Sequence, residues 1–80
     1  MIKVKVKLFA TLRKYLPDYD PTRGIDVEVK EGITIHELIE ILGLPQDEAR
    51  VIFVNGVSKK KTEILNKLEE ISIFTPVSGG

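Results

Sequence analysis

The C-terminal residues carry the most unusual chemical group in this sequence. Residues Ile71 to Thr75 read as a strand, and the tail after them ends in Gly79 and Gly80. Gly80 is expected to carry a free main-chain carboxylate, and a glycine backbone can enter a channel that any Cβ atom would block. Pro76 cannot donate to a strand ladder, so pairing should stop there. At about 3.3–3.6 Å per residue the rest of the tail reaches about 13–14 Å, far enough to enter a partner's active site.

A carboxylate of this kind needs activation before it can react. Conversion to an acyl-adenylate supplies a good leaving group that a nucleophile can displace. A persulfide nucleophile followed by reductive cleavage leaves a thiocarboxylate, whereas a lysine amine gives an isopeptide. Nothing in the sequence suits adenylation, so a separate ATP-dependent activating enzyme is the expected partner. The alternative interpretation is that the two glycines are an inert, frayed terminus.

Composition excludes several other kinds of chemistry. The 80 residues include 12 Lys and Arg, 12 Asp and Glu, and no Cys, so the formal net charge is zero. A basic nucleic-acid binder is therefore disfavoured, and thiolate metal sites, disulfides and catalytic thiols are excluded. His36 is the sole histidine, which predicts a surface residue rather than a metal ligand or a general base. No resident metal or cofactor is expected.

The chain also has no apolar run near the ~18 residues of a membrane span. Its N-terminus alternates Lys with apolar residues, unlike the continuous apolar region of a signal peptide. We therefore expect a cytoplasmic protein that does not bind membranes.

The N-terminal strand shows the clearest pattern in the sequence. Apolar residues alternate with Lys3, Lys5 and Lys7 from Ile2 to Leu8, which predicts a sheet buried on one face only. Three lysines on one strand face are usually solvated, and the alternative is an acidic partner that docks on them.

The remaining elements follow from periodicity and turn residues. After the first strand we predict a short helix that closes the core through Phe9, Leu12 and Leu16, and then a strand at 25–29. A helix capped by Thr34 and Glu37 follows, and after it an apolar buried strand at 51–54 that ends in an Asn55–Gly56 hairpin. The chain then continues through a stretch anchored by Ile64, Leu65 and Leu68 to the last strand at 71–75. This order predicts an α+β fold in which one main helix packs on one face of a mixed sheet. Placing the first and last strands side by side and parallel, partly by analogy with known domains, gives the ubiquitin-like β-grasp arrangement. The expected domain covers residues 1–76, and residues 77–80 form the tail.

Four segments together resemble the MoaD/ThiS sulfur-carrier family, and most closely its molybdopterin synthase small-subunit branch. The segments are 6–13 after the first strand, 34–38 at the helix start, 54–56 at the hairpin and 73–80 at the end. The segment 9–13 favours the molybdopterin branch over the thiazole-forming carriers. Glu69–Glu70 and Thr75–Pro76 depart from the family's usual Gly-Asp and Pro-Pro, and the Lys59–Lys61 run is also atypical.

The resemblance implies a sulfur carrier without catalytic activity of its own. It implies that Gly80 is adenylated and converted to a thiocarboxylate, and that Gly79, Ser78 and Val77 pass through the partner's channel. The implied partners are an activating enzyme and the molybdopterin synthase large subunit, where the sulfur is donated in molybdenum- or tungsten-cofactor synthesis. The alternatives are a ubiquitin-like modifier conjugated through Gly80, a thiamine-thiazole sulfur carrier, and a binding module with an inert tail.

The last strand also predicts a docking surface. Its two-residue period turns Phe74 away from the helix, onto the face that carries Lys5 and Lys7. An exposed aromatic residue near cations and just before Pro76 is expected to anchor a partner. The alternatives are that Phe74 lies under lysine stems, or that a shift in register places it in the core.

Overall fold

The computed structural model of the chain describes residues 1–16, 19–20 and 23–75. The predicted domain end at Pro76 lies outside the described residues, as do the predicted tail residues Val77, Ser78, Gly79 and Gly80.

A five-stranded mixed sheet forms the framework. The strands are β1 (Ile2–Leu8), β2 (Ile25–Val29), β3 (Val51–Val54), β4 (Val57–Ser58) and β5 (Glu70–Phe74). Their order across the sheet is β2-β1-β5-β3-β4. β1 and β5 are parallel neighbours, and the other pairs are antiparallel. The predicted β-grasp arrangement, with the first and last strands paired in the middle, is confirmed.

The helix α1 (Ile35–Ile41) covers one face of this sheet and starts at the predicted capping box. The Glu37 N–H donates to Thr34 Oγ1 at 3.2 Å, and the Thr34 N–H donates to Glu37 Oε1 at 3.1 Å. Gly43 follows the helix at φ +73°, a left-handed conformation that favours glycine. The sequence around Thr34 and Gly43 therefore fixes both ends of the element that closes the core.

The core lies between α1 and the inward-facing residues of the sheet. It includes Val4, Val6 and Leu8 of β1, Ile52 and Val54 of β3, Ile71 and Ile73 of β5, and Ile35, Leu38 and Ile39 of α1. Burying each such aliphatic side chain stabilises the fold by about 1.5–3 kcal/mol. All the inward positions of β1 and β5 were predicted by the two-residue period.

The prediction for Phe9 is wrong. Phe9 continues the β1 ladder, because its backbone is extended and its N–H donates to the Ile73 carbonyl at 3.1 Å. The two-residue period therefore places it on the open face of the sheet with Lys7, and its side chain is 37% exposed. The helix after it is a 3₁₀ helix (Ala10–Tyr15), in which Leu12 alone of the three predicted residues is fully buried.

Two further core predictions fail in part. β3 was expected to be buried throughout, but Val51 and Phe53 face the open side while Ile52 and Val54 face the helix. In the stretch before β5, Leu65 is buried as expected, whereas Ile64 and Leu68 are 59% and 79% exposed. This stretch forms turns rather than a regular element, so no period defines which of its side chains point inward.

The Asn55–Gly56 turn between β3 and β4 is confirmed. Asn55 has φ +51° and Gly56 has φ +83°, as a type I′ turn requires. The Asn55 side chain also accepts a hydrogen bond from the Glu70 N–H at 3.0 Å, which ties the hairpin to the start of β5.

Candidate functional site

The strand that precedes the predicted tail in the chain lies at the centre of the sheet. β5 lies between β1 and β3, and the last described residue, Thr75, directly follows it. Ile71 and Ile73 are fully buried under the helix, so β5 is held from both sides and from above. Thr75 therefore follows a strand that is paired on both edges and buried on one face.

Three aromatic rings lie on the open face at the end of β5, and we call them the aromatic cluster (Phe9, Phe53 and Phe74). The Phe9 and Phe74 rings stack with centroids 4.4 Å apart and an interplanar angle of 10°. Phe53 meets Phe74 edge to face, with centroids 5.8 Å apart and an angle of 74°. Phe74 is the middle ring and belongs to β5. Phe53 belongs to β3, and Phe9 directly follows β1.

The structure places Phe74 on the predicted face. It pairs with Val51 in register, on the side opposite Ile73, and Val51 is 36% exposed. The alternative of a shifted register is wrong, because Phe74 is not in the core, and two aromatic rings pack against it. Phe74 is however only half-exposed, since its neighbours cover both sides of the ring.

The predicted lysines also lie on the open face, although acids surround them. Lys3 is opposite Glu28, and Lys5 is opposite Asp26 on one side and Glu70 on the other. Among the described strand residues this face therefore alternates in charge and carries no cationic patch.

Lys7 is the lysine nearest the aromatic cluster in register. Its Nζ lies 3.4 Å from Glu70 Oε1, and both side chains are partly exposed. A half-exposed ion pair of this kind contributes little to stability. Together these contacts make the aromatic rings, and not the lysines, the distinctive feature of the open face.

Sequence reasoning found one of the three rings and missed the other two. The signal for Phe9 was present, because it continues the odd-numbered positions of β1. Phe53 was hidden by the apolar run Val51–Val54, which does not distinguish one face of a strand from the other.

Three polar groups away from the aromatic cluster, in the described part of the chain, contact neighbouring polar groups. His36 is exposed, as predicted, and its Nδ1 lies 3.1 Å from Glu40 Oε1. The Tyr15 hydroxyl donates to Glu48 Oε2 at 2.8 Å, and this hydrogen bond raises the pKa of Tyr15. Burial lowers the pKa of Lys61, whose Nζ donates to the Gln46 carbonyl at 2.7 Å.

Among residues 1–16, 19–20 and 23–75, no three His, Cys, Asp or Glu side chains come together to hold a metal ion. No helix in the same ranges is long and apolar enough to cross a bilayer.

Comparison with protein families gives one match over nearly the whole chain. The family described as Mut7-C ubiquitin matches residues 1–78, so the match stops just before Gly79 and Gly80. Among curated proteins no sequence matches.

Solved structures give further relatives. A putative molybdopterin converting factor, subunit 1, from Pyrococcus furiosus is 26% identical over 96% of this chain and 100% of its own, with a TM-score of 0.73. Small archaeal modifier protein 1 of Haloferax volcanii is 21% identical over 96% of this chain and 100% of its own, with a TM-score of 0.75. The HVO 2177 protein of the same organism is 20% identical over 99% and 87%, with a TM-score of 0.78. This chain therefore shares its fold with the two Haloferax proteins.

Proposed function

We propose that this chain, which belongs to the Mut7-C ubiquitin family, is a small sulfur carrier that acts through the carboxylate of Gly80. The observation that carries the proposal is the position of the Gly79–Gly80 sequence, which follows in the chain, after residues 75–78, the central strand of a β-grasp sheet. A small rigid domain with a short side-chain-free terminus suits delivery of a reactive group into another protein's active site. The 26% identity to a putative molybdopterin converting factor subunit supports the same function.

The proposed chemistry has four steps. A Gly80 carboxylate oxygen attacks the α-phosphate of ATP on an activating enzyme, which releases pyrophosphate and gives the acyl-adenylate. The terminal sulfur of a persulfide then attacks the carbonyl carbon, and AMP leaves with the carboxylate's former oxygen. A thiol reductant cleaves the resulting acyl disulfide to the Gly80 thiocarboxylate. The thiocarboxylate sulfur then attacks an acceptor, proposed to be a pterin precursor in a synthase large subunit. Water hydrolyses the resulting thioester, which leaves the sulfur on the acceptor and returns the Gly80 carboxylate.

The docking role belongs to the same proposal. Phe74 at the centre of the aromatic cluster, with Pro76 after it, would anchor the activating enzyme or the large subunit beside the tail. Lys5 and Lys7 would lie at the edge of that contact. Aromatic residues supply much of the binding energy at interfaces, and the half-exposed rings are prepositioned by stacking.

A second candidate function uses the same terminus. A ubiquitin-like modifier would also require an activated Gly80, with a lysine amine in place of the persulfide. The fold that this chain shares with small archaeal modifier protein 1 is compatible with that function.

The direct test is mass spectrometry of the intact protein purified from its native cells. The proposal expects a population in which one oxygen at Gly80 is exchanged for sulfur. Adducts in which Gly80 is joined to lysines of other proteins would support the modifier instead. A terminus that is never modified, or a mature chain that continues beyond Gly80, would contradict both functions.

A tail deletion separates chemistry from folding. Removing Gly80 should abolish thiocarboxylate formation in a reconstituted assay with the activating enzyme, while the urea midpoint of unfolding stays unchanged. Replacing Gly79 by Val should block the same step through its branched Cβ, and Gly79→Ala is the matched control with a smaller obstruction. If the Gly80 deletion still accepts sulfur, the proposed acceptor atom is wrong.

A further inference from the structure

The outer edge of β2 is the longer free edge of the sheet. β2 is the terminal strand in the order and pairs with β1 alone among the described residues. The opposite edge strand, β4, has only two residues. A free edge presents a row of N–H and C=O groups on which another chain can add a strand.

The hydrogen bonds of β1 show which of its backbone groups face β2. The Lys3 carbonyl accepts from the Leu68 N–H at 2.7 Å, and the Lys5 N–H donates to the Glu69 carbonyl at 2.9 Å. The odd-numbered residues of β1 therefore face β5. Because backbone direction alternates along a strand, Val4 and the other even-numbered residues face β2.

The alternation of backbone direction along β1 also shows which backbone N–H and C=O groups of β2 are unpaired. Val27 is directly opposite Val4, so the two form a pair that exchanges both hydrogen bonds. Asp26 and Glu28, on either side of Val27, consequently point their N–H and C=O groups away from the sheet. These four groups have no partner within the described part of the chain.

A cleft lies beside this edge on the helix side of the sheet. It has a volume of about 440 Å³ and is formed by the end of β2, the turn after it and α1. Ile41 of α1 and Met1 line it and are 61% and 78% exposed, and the buried Ile33 and Val29 close its inner end. Apolar surface is thus available next to a free strand edge.

The charges around this edge are mostly negative. The cleft is lined by three acidic residues, Glu28, Glu31 and Glu37. Lys30 is the one basic side chain in its lining. Asp26 and Glu28 are also exposed on the open face, where Lys5 and Lys3 stand opposite them on β1. A strand added outside β2 would continue this alternation of charge if it placed basic residues opposite the two acids.

We propose that the outer edge of β2 binds an extended peptide segment of another protein in which basic and apolar residues alternate. The segment pairs through the backbone of Asp26 and Glu28. Its basic side chains lie on the open face opposite these two acids, and its apolar side chains lie on the helix side toward Ile41. A second copy of this chain does not fit, because pairing β2 with β2 would set acids against acids, which destabilises a cross-strand pair. The proposal is independent of the tail chemistry.

The test uses a capped peptide, Gly-Val-Lys-Val-Lys-Val-Gly, titrated into the ¹⁵N-labelled full chain and followed by NMR. We expect the amide hydrogens of Asp26 and Glu28 to become protected from exchange, with shifts along β2 and at Ile41. A control peptide with Glu in place of both Lys should bind more weakly by about tenfold, because it sets like charges opposite Asp26 and Glu28. Binding of the Lys peptide should weaken as salt is added.

A proline variant isolates the backbone contact. Glu28→Pro removes an N–H that points away from the sheet, which an edge strand tolerates, and should weaken peptide binding by about tenfold. Glu28→Ala removes the charge alone and should cost about threefold. If Glu28→Pro does not fold, Ile41→Arg serves instead, since it places a charged side chain against the apolar side chains of the peptide in the cleft.

Unprotected Asp26 and Glu28 amides in the presence of saturating peptide would overturn the proposal. Shifts confined to the aromatic cluster, or equal binding by Glu28→Pro and Glu28→Ala, would overturn it as well.

Discussion

The two faces of the sheet differ in how their side chains change along the strands. On the face under α1 every position of β1 and β5 is a buried aliphatic residue, and the row continues through Ile52 and Val54 of β3. On the open face the side chains change from paired charges near Lys3 and Glu28 to aromatic rings at Phe74. The face under the helix is aliphatic throughout these strands, whereas the open face changes from charged to aromatic side chains toward the end of β5.

Under the proposed docking role, this difference separates stability from recognition along a single strand. Neighbouring residues of β5 point to opposite faces, so Ile73 lies in the core while Phe74 lies on the open face. The aromatic cluster still contributes to stability, because its rings pack on one another across three segments. The separation is therefore strong for the aliphatic face and incomplete for the aromatic one.

The largest expected effect comes from the helix-covered face. Ile73→Ala should lower the free energy of unfolding by about 3 kcal/mol, because Ile73 is fully buried in the central strand and its truncation leaves a cavity. Urea denaturation followed by circular dichroism measures this loss. A change below about 1 kcal/mol would mean that the core relaxes around the site and that the two faces differ less than their burial indicates.

A smaller stability effect, combined with a binding effect, is expected from the open face. Phe74→Ala should lower the free energy of unfolding by about 1.5 kcal/mol, through loss of the stacked and edge-on contacts. It should also weaken binding to the activating enzyme or large subunit by about 2 kcal/mol if Phe74 is an interface anchor.

Ser72→Ala is the matched control, since Ser72 lies on the same strand and face as Phe74 but outside the ring stack. Calorimetric titration of each variant with the partner separates the two effects. Normal partner affinity with a large loss of stability would assign the aromatic cluster to the fold alone.

Most of the fold could be predicted from the sequence because its signals are local. Strict alternation defines β1, the capping box defines the start of α1, and Asn55–Gly56 defines the hairpin. Each of these depends on residues close together in the chain. The position of Leu68, which is largely exposed at φ +63°, depends instead on the hydrogen bond that its N–H donates to the Lys3 carbonyl of β1, which is distant in sequence.

The aromatic cluster was only partly predictable for the same reason. Phe74 could be placed from the period of β5, but its partners come from segments that are distant in sequence. Phe9 was assigned to a helix because the aliphatic residues after it also fit a helical spacing, and extended pairing with Ile73 took precedence. The acids that offset the lysines lie on β2 and at the start of β5, and only the strand register shows that they are neighbours.

The smallest expected effect concerns the Lys7–Glu70 pair, and it tests whether charge contributes to the open face. The two side chains are 31% and 45% exposed, so solvent screens their attraction. A double-mutant cycle with Lys7→Ala and Glu70→Ala should give a coupling of about 0.3 kcal/mol in the free energy of unfolding, and added salt should reduce it further. For partner binding, Lys7→Ala should slow association more than it speeds dissociation, because a charge at the rim acts mainly on encounter. A coupling above about 1 kcal/mol, or a loss of affinity as large as that of Phe74→Ala, would show that ion pairs rather than aromatic rings dominate this face.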